Sequence, residues 1–297
     1  MARTRKEIMQ ELADKVANRM EEINASIWEK GIEEFMPINI YTNKEYKGMN
    51  AFFLGFLGGG TQEYATFNQI ADMGGKVKKG AKSLPITYWR MYNKTQKRDA
   101  LIGDSEEDDI YMVLKTYNVF QIGKDTEGIE PKRKPVTNKR VTKGKRVKAA
   151  EEFCKKFMAV NGIKYTEEHG TACYMPSEHG VRISPISHYK TPSHYIQTLF
   201  HELIHATSKG LHRKTDGGFG SKDYSKEEIV AEFGSAILCR YFGIKGQFDN
   251  SVAYIKGWSA KIRQNPDWLF NGANAAQKAV DYMLKEAGYD NVFELVA

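Results

Sequence analysis

Cysteine is scarce in this 297-residue chain: Cys154, Cys173 and Cys239 are odd in number and never form a C-x-x-C pair. That excludes a disulfide framework and a cysteine-built zinc site, and it predicts a reduced, cytoplasmic protein. Long apolar runs are missing as well. No stretch approaches the roughly 18 apolar residues of a membrane span, mean hydropathy is -0.55, and the charged start MARTRKEIMQELADKV lacks the apolar core of a secretion signal. A soluble globular protein without membrane partners is expected. No internal repeat is visible. The glycine-lysine stretch from Gly75 to Ser83 resembles a phosphate loop but brings Lys82 and Ser83 one residue too late, which argues against an NTPase.

The absence of acidic residues is local and informative. Residues 132–148 hold nine Lys or Arg and no Asp or Glu, and residues 73–98 hold eight basic side chains and no acidic one, next to an acidic cluster at 103–109. Residues 149–297, by contrast, carry 17 charges of each sign. The net charge of +7 therefore sits in one connector and one patch, and charge concentrated in this way suggests an anionic polymer as partner.

These breaks divide the chain into an α+β domain over 1–124, a basic linker over 125–148 and a second domain over 149–297. Apolar residues at three- and four-residue spacing from Ile8 to Ile27 predict an amphipathic first helix. Thr66 is placed to cap a short helix ended by Gly74-Gly75, and residues 84–92 and 110–122 read as strands. In the second domain a helix from Ala149, short strands within 163–168, 171–176 and 180–185, and a helix capped by Ser193 are expected, followed by helices near 226–242, 253–263 and 268–287.

All seven histidines lie between 169 and 212, and two of them form His201-Glu202-Leu-Ile-His205 on a helical segment. Side chains four apart share a helix face, so both imidazoles can reach one metal while Glu202 lies beside the metal-bound water. Zinc, or another divalent ion in its place, is the expected cofactor. A third ligand is required. Glu228 is the leading candidate; Glu232, His212 or an aspartate are the alternatives, with Glu232 also suited to hold a ligand histidine from behind. Ser225 to Glu228 can equally be read as a capping box. In catalysis Glu202 would take a proton from water and deliver it to a leaving amine, and Tyr224 would either donate to the developing oxyanion or simply pack. The strand over 180–184 is the expected place for an extended substrate to add.

In the first domain Tyr88, Trp89 and Tyr92 alternate with Arg90 and Lys94, the mixture with which proteins stack bases and track phosphates of single strands. The same pattern also fits a strand whose aromatics face a core.

The chain resembles the ArdC antirestriction proteins of conjugative plasmids, whose N-terminal region is shared with TraC-type plasmid primases. The resemblance rests on Tyr46-Lys-Gly48-Met-Asn50, Thr66-Phe67-x-Gln69, Gly74-Gly75-x-Val77-x-Lys79-Gly80 and Tyr117-Asn118-Val119-Phe120-Gln121, then on Tyr174-x-Pro176, the His201-to-Thr207 segment and Tyr224-x-x-Glu227-Glu228-x-Val230-Ala231-Glu232. It implies a domain that binds single-stranded DNA joined to a zincin-like, SprT-like metallopeptidase domain that protects incoming plasmid DNA from host restriction. A host restriction or other DNA-bound protein would be a further partner. Together with the basic stretch, it makes Tyr46, Asn50, Lys76, Lys78, Lys79, Tyr88, Trp89 and Arg90 the expected nucleic-acid contacts.

Overall fold

The computed structural model describes residues 4–22, 36–58, 62–101, 109–133, 143–214, 222–244 and 259–289. Its architecture is the expected α+β one. Helix α1 (Arg5–Glu22) precedes a six-stranded sheet made of β1 (Ile38–Asn39), β2 (Lys44–Glu45), β3 (Glu63–Thr66), β5 (Leu84–Asn93), β6 (Arg98–Asp99) and β7 (Ile110–Gln121), in the order β2-β1-β3-β7-β5-β6. The long antiparallel pairing of β5 with β7 runs from Leu84 opposite Val119 to Asn93 opposite Ile110. Helix α2 (Gly48–Leu57) covers the sheet, with Leu54 buried against Tyr64, Ile86 and Val119. Helix α3 (Phe67–Asp72) is closed by a reciprocal capping box between Thr66 and Gln69, as its sequence demands.

The segment expected to be a connector is built into the fold at both ends. Strand β8 (Thr126–Glu127) pairs with β4 (Lys76–Val77), and Arg133 donates its backbone N–H to Glu63 Oε1 at 3.1 Å. At the other end α4 (Lys143–Asn161) begins six residues before Ala149. Its buried row, Val147, Ala150, Cys154 and Phe157, starts inside the basic run, whose lysines concealed the period. Residues 134–142 lie outside the described residues.

The second half sets a small sheet of β9 (Lys164–Glu167), β10 (Cys173–Met175) and β11 (Gly180–Ile183), in the order β10-β11-β9, against α4 and α5 (Pro192–Gly210). Helices α6 (Lys222–Tyr241) and α7 (Pro266–Glu286) complete it. The expected helix over 253–263 is helical at 259–264, and its remainder lies outside the described residues. Phe153, Phe157, Phe200 and Phe242 are fully buried at its centre. Thr191, not Ser193, caps α5 by accepting the His194 N–H at 3.2 Å, because Pro192 has no N–H to satisfy and fits the first helical position. No described helix is long and apolar enough to cross a membrane.

The two halves share a core. Ile8, Leu12 and Val16 of α1 join Met49 and Phe53 of α2, Ile229 of α6 and Leu269, Phe270 and Ala273 of α7. Polar contacts fasten the seam: Arg263 bonds Glu21 and Asn18, and Gly48, at φ +56, donates its N–H to Gln277 Oε1 at 3.2 Å. Arg240 donates to the Gly55 carbonyl at 2.7 Å, and a Cβ at Gly55 would fall 1.7 Å from its guanidinium. Phe52 stacks on Phe233 at 4.0 Å, a pairing worth about 0.5–1.5 kcal/mol beyond burial alone.

Asn50 fastens α2 to the sheet. Its side-chain N–H donates to the Thr87 carbonyl at 2.6 Å and its Oδ1 accepts the Thr87 N–H at 2.8 Å, so one amide stands in for a neighbouring strand on the open edge of β5. An Asn50→Ala variant leaves a buried backbone donor and acceptor without these partners and should lose about 1–3 kcal/mol of stability, read as a lower urea midpoint at unchanged slope.

Candidate functional site

Helix α5 buries Leu199, Phe200, Leu203 and Ile204, which turns His201 and His205 toward α6. Their Nε2 atoms lie 3.2 Å apart. Glu228 faces both, with Oε2 at 3.6 Å from His201 Nε2 and Oε1 at 3.4 Å from His205 Nε2. Ligand atoms on one tetrahedral ion with bonds of about 2.1 Å sit about 3.4 Å apart, so this set fits a divalent metal without rearrangement. Among the described residues it is the group of His, Cys, Asp or Glu side chains close enough to hold one.

Each imidazole is faced from behind by a further carboxylate. Glu232 Oε1 lies 3.7 Å from His201 Nδ1, and Glu227 Oε1 lies 3.5 Å from His205 Nδ1. Three carboxylates therefore face two imidazoles on α5. Burial opposes charge on His205, but its hydrogen bonds to Glu227 and Glu228 outweigh it and hold the pKa up at about 9. The same contest, with Glu228 and Glu232, raises His201. Burial works against ionised Glu228 and Glu227 also, yet the histidines, with Arg213 beside Glu227, hold both below the usual carboxylate range. Burial prevails at Glu232, which is raised.

Glu202 is buried one position along α5, and its Oε2 accepts the Tyr174 N–H of β10 at 2.8 Å. The catalytic candidate is thus tied to a sheet edge. This corrects the expectation for 180–184: β11 is paired on both sides, by β10 and β9, so an added strand has no edge there. The edge beside Glu202 is β10. His212, at a backbone φ of +52, is not part of the cluster. Tyr224 lies in the first turn of α6, and its side chain falls outside the described residues.

The expected nucleic-acid residues separate into two groups. Tyr46 is half-buried, packs against two of the cores and bonds Asn39 through its hydroxyl; Asn50 holds Thr87; and the Lys78 ammonium donates to the carbonyls of Gly123 and Lys124 at 3.0 Å. These three are engaged in holding the fold together. Lys76, Lys79, Trp89 and Arg90 are exposed and Tyr88 is half-exposed. Strand alternation puts Trp89 on the opposite face from Tyr88 and Arg90, under the Arg5 guanidinium at 5.2 Å. Tyr88 instead stacks on Tyr117 at 4.5 Å with planes 6° apart, Arg90 stands 5.8 Å over Tyr88 and pairs with Asp99, and Tyr92 meets Tyr111 edge-on at 5.8 Å. With Lys115 opposite Tyr88, these residues make one aromatic and cationic face on the β5–β7 ribbon.

Sequence reading missed Glu227, Arg213, Tyr111 and Tyr117 as parts of these sites. Pairing the two predicted strands around their common loop would have brought Tyr117 diagonally beside Tyr88. For Glu227 the signal was three glutamates within six residues of an otherwise buried helix.

A family model for the N-terminal domain of anti-restriction factor ArdC matches residues 6–120, and one for zincin-like metallopeptidases matches residues 151–275. The chain thus joins a domain that matches the ArdC N-terminal family to one that matches the zincin-like metallopeptidases. Two Escherichia coli proteins named DNA primase TraC are 28% and 29% identical to it over 96% and 86% of its length, but the chain spans only 28% and 18% of theirs. An uncharacterized Sinorhizobium fredii protein is 27% identical over 83% of the chain and 80% of its own length. Crystal structures of the antirestriction ArdC protein from plasmid R388, metal-free and Mn(II)-bound, share its fold with TM-scores of 0.73 and 0.71 at 24% identity, covering 96% of this chain and 99% of theirs.

A divalent ion entering this site must displace protons from the two imidazoles. Affinity should therefore rise from pH 6.5 toward about 9, with proton release visible as a buffer-dependent heat in calorimetric titrations. Affinity that does not change across that range would contradict the site's charge balance.

Proposed function

We propose that this chain is an antirestriction protein that holds single-stranded DNA on its first half and cleaves protein bound to that DNA with a zinc site in its second. It would act in the cytoplasm, with a host restriction protein as one substrate. The observation that supports the reading is the position of Glu202, beside the His201-His205-Glu228 set on one helix and bonded to β10, the edge strand of its sheet among the described residues.

His201, His205 and Glu228 would hold a divalent ion, which when bound would supply Lewis-acid polarisation of a peptide carbonyl. Glu202 would take a proton from the attacking water as its oxygen adds to the carbonyl carbon, and deliver that proton to the nitrogen as the C–N bond breaks. The Tyr174 N–H holds Glu202 in place for both transfers. An extended peptide lying along β10 would present its carbonyls to the site in register, because a free strand edge recognises backbone independently of sequence. Tyr224 is the residue we assign to stabilise the oxyanion, from the start of α6.

DNA binding is assigned to the β5–β7 face. Tyr88, Tyr117, Tyr92 and Tyr111 offer rings to bases, and Arg90 and Lys115 offer charge to phosphates, aided by Lys76 and Lys79. Names of the relatives agree with this reading: one half matches a domain of an anti-restriction factor and the whole chain matches primase-named proteins.

Two experiments test the halves separately. Glu202→Ala should retain metal yet lose peptide hydrolysis and plasmid protection in a restricting host; full protection by this variant would remove hydrolysis from the function and leave the zinc half as a docking module. Combined Tyr88→Ala and Tyr117→Ala should weaken binding to a single-stranded oligonucleotide by about tenfold or more, given about 1–3 kcal/mol per stacked base, while Trp89→Ala has little effect. Equal affinity for duplex and single strand at every salt concentration would refute stacking.

A further inference from the structure

Arg213 follows the metal helix without belonging to it. Helix α5 ends at Gly210, the Leu211 N–H returns to the Thr207 carbonyl at 3.0 Å, and the Arg213 N–H returns to the Ser208 carbonyl at 2.9 Å. Between them His212 takes φ +52, a left-handed conformation that a residue with a Cβ adopts only at some cost. That single reversal folds the chain back under α5.

The guanidinium then fills a fixed set of acceptors. Nε donates to Glu227 Oε2 at 3.1 Å and Nη2 to Glu227 Oε1 at 2.6 Å, a bidentate fork. Nη1 donates to Thr207 Oγ1 at 2.8 Å and Nη2 also to the Ile204 carbonyl at 2.9 Å. Both side chains are nearly buried, with 14% of Arg213 and 8% of Glu227 exposed. The Oε1 that Arg213 grips is the oxygen facing His205 Nδ1, so Glu227 is fixed on one side to the helix that carries the imidazole it faces.

We propose that Arg213 is the positioning residue of the metal centre: by locking Glu227 it fixes the His205 ring with Nδ1 protonated and the Nε2 lone pair aimed at the ion, and the left-handed turn at His212 exists to put Arg213 there. The proposal rests on the divalent-metal reading above. Its reach is asymmetric. Among the described residues no cation grips Glu232, which faces His201, as Arg213 grips Glu227. Partners behind ligand histidines commonly govern affinity by about 10–100-fold when removed.

The test is Zn(II) competition with a chromophoric chelator, together with the Nδ1–H proton resonance of His205 in the zinc-saturated protein. Arg213→Gln should weaken Zn(II) binding about 10–100-fold and broaden that resonance through faster exchange with water. Arg213→Lys, a point charge that cannot make the fork, should fall between Arg213→Gln and wild type and remain folded. His212→Gly, which takes a positive φ freely, should keep wild-type affinity, whereas His212→Val should lower it although neither touches a ligand. Wild-type affinity and a sharp His205 resonance in Arg213→Lys, or in a folded Arg213→Gln, would overturn the proposal, and so would metal loss in His212→Gly, which would make His212 a ligand. Failure of the wild-type protein to bind Zn(II) would instead defeat the metal reading itself.

Discussion

Two imidazoles and three carboxylates meet between α5 and α6, largely shielded from solvent, and most of the second half is arranged so that this can happen. A buried cluster of that composition is tolerable only if its charges are balanced, by protons on the histidines or by a divalent ion among them. Apolar rows on both helices, Leu203 and Ile204 on one and Val230 and Ala231 on the other, keep the helices close enough for the balance to be struck. The edge strand β10 then has a defined position relative to Glu202. Remove the charge balance and the closely packed helix pair would have to separate or admit water.

The candidate metal cluster was legible because the spacing of its two histidines is a property of one helix. His201 and His205 need nothing but the α-helical repeat to share a face, and the strands flanking them were visible as short alternating runs. Glu228 was legible as a candidate, although the sequence could not choose between it and Glu232. The choice depends on how α6 is rotated against α5, and that is decided by Phe233 and Ile229 facing the first half. Arg213 was invisible for a related reason: its place depends on a backbone reversal at a residue that is not glycine, where no turn signal is written.

The first half is harder to read from sequence for a different reason. Tyr46, Asn50 and Lys78 are polar residues in an aromatic and basic region, which reads as a binding surface; in the fold their polar atoms close a strand edge, a side-chain network and a loop. Residue type alone does not distinguish a polar group that faces a ligand from one that satisfies the backbone. The alternation of β5 and β7 does distinguish them, since it separates Trp89 from Tyr88 by the thickness of the sheet.

The core shared by α1, α2, α6 and α7 bears on how such a protein can be inherited. Cutting at the boundary suggested by the basic stretch would uncover Phe52, Phe53 and Leu12 on one fragment and Phe233, Ile229 and Phe270 on the other, so each fragment would carry an adhesive face. Recombination that moved one half alone would be selected against at the level of solubility. The match to a TraC-named primase runs through both halves, at 28% identity over 96% of this chain, so the two halves stand together in that longer protein as well.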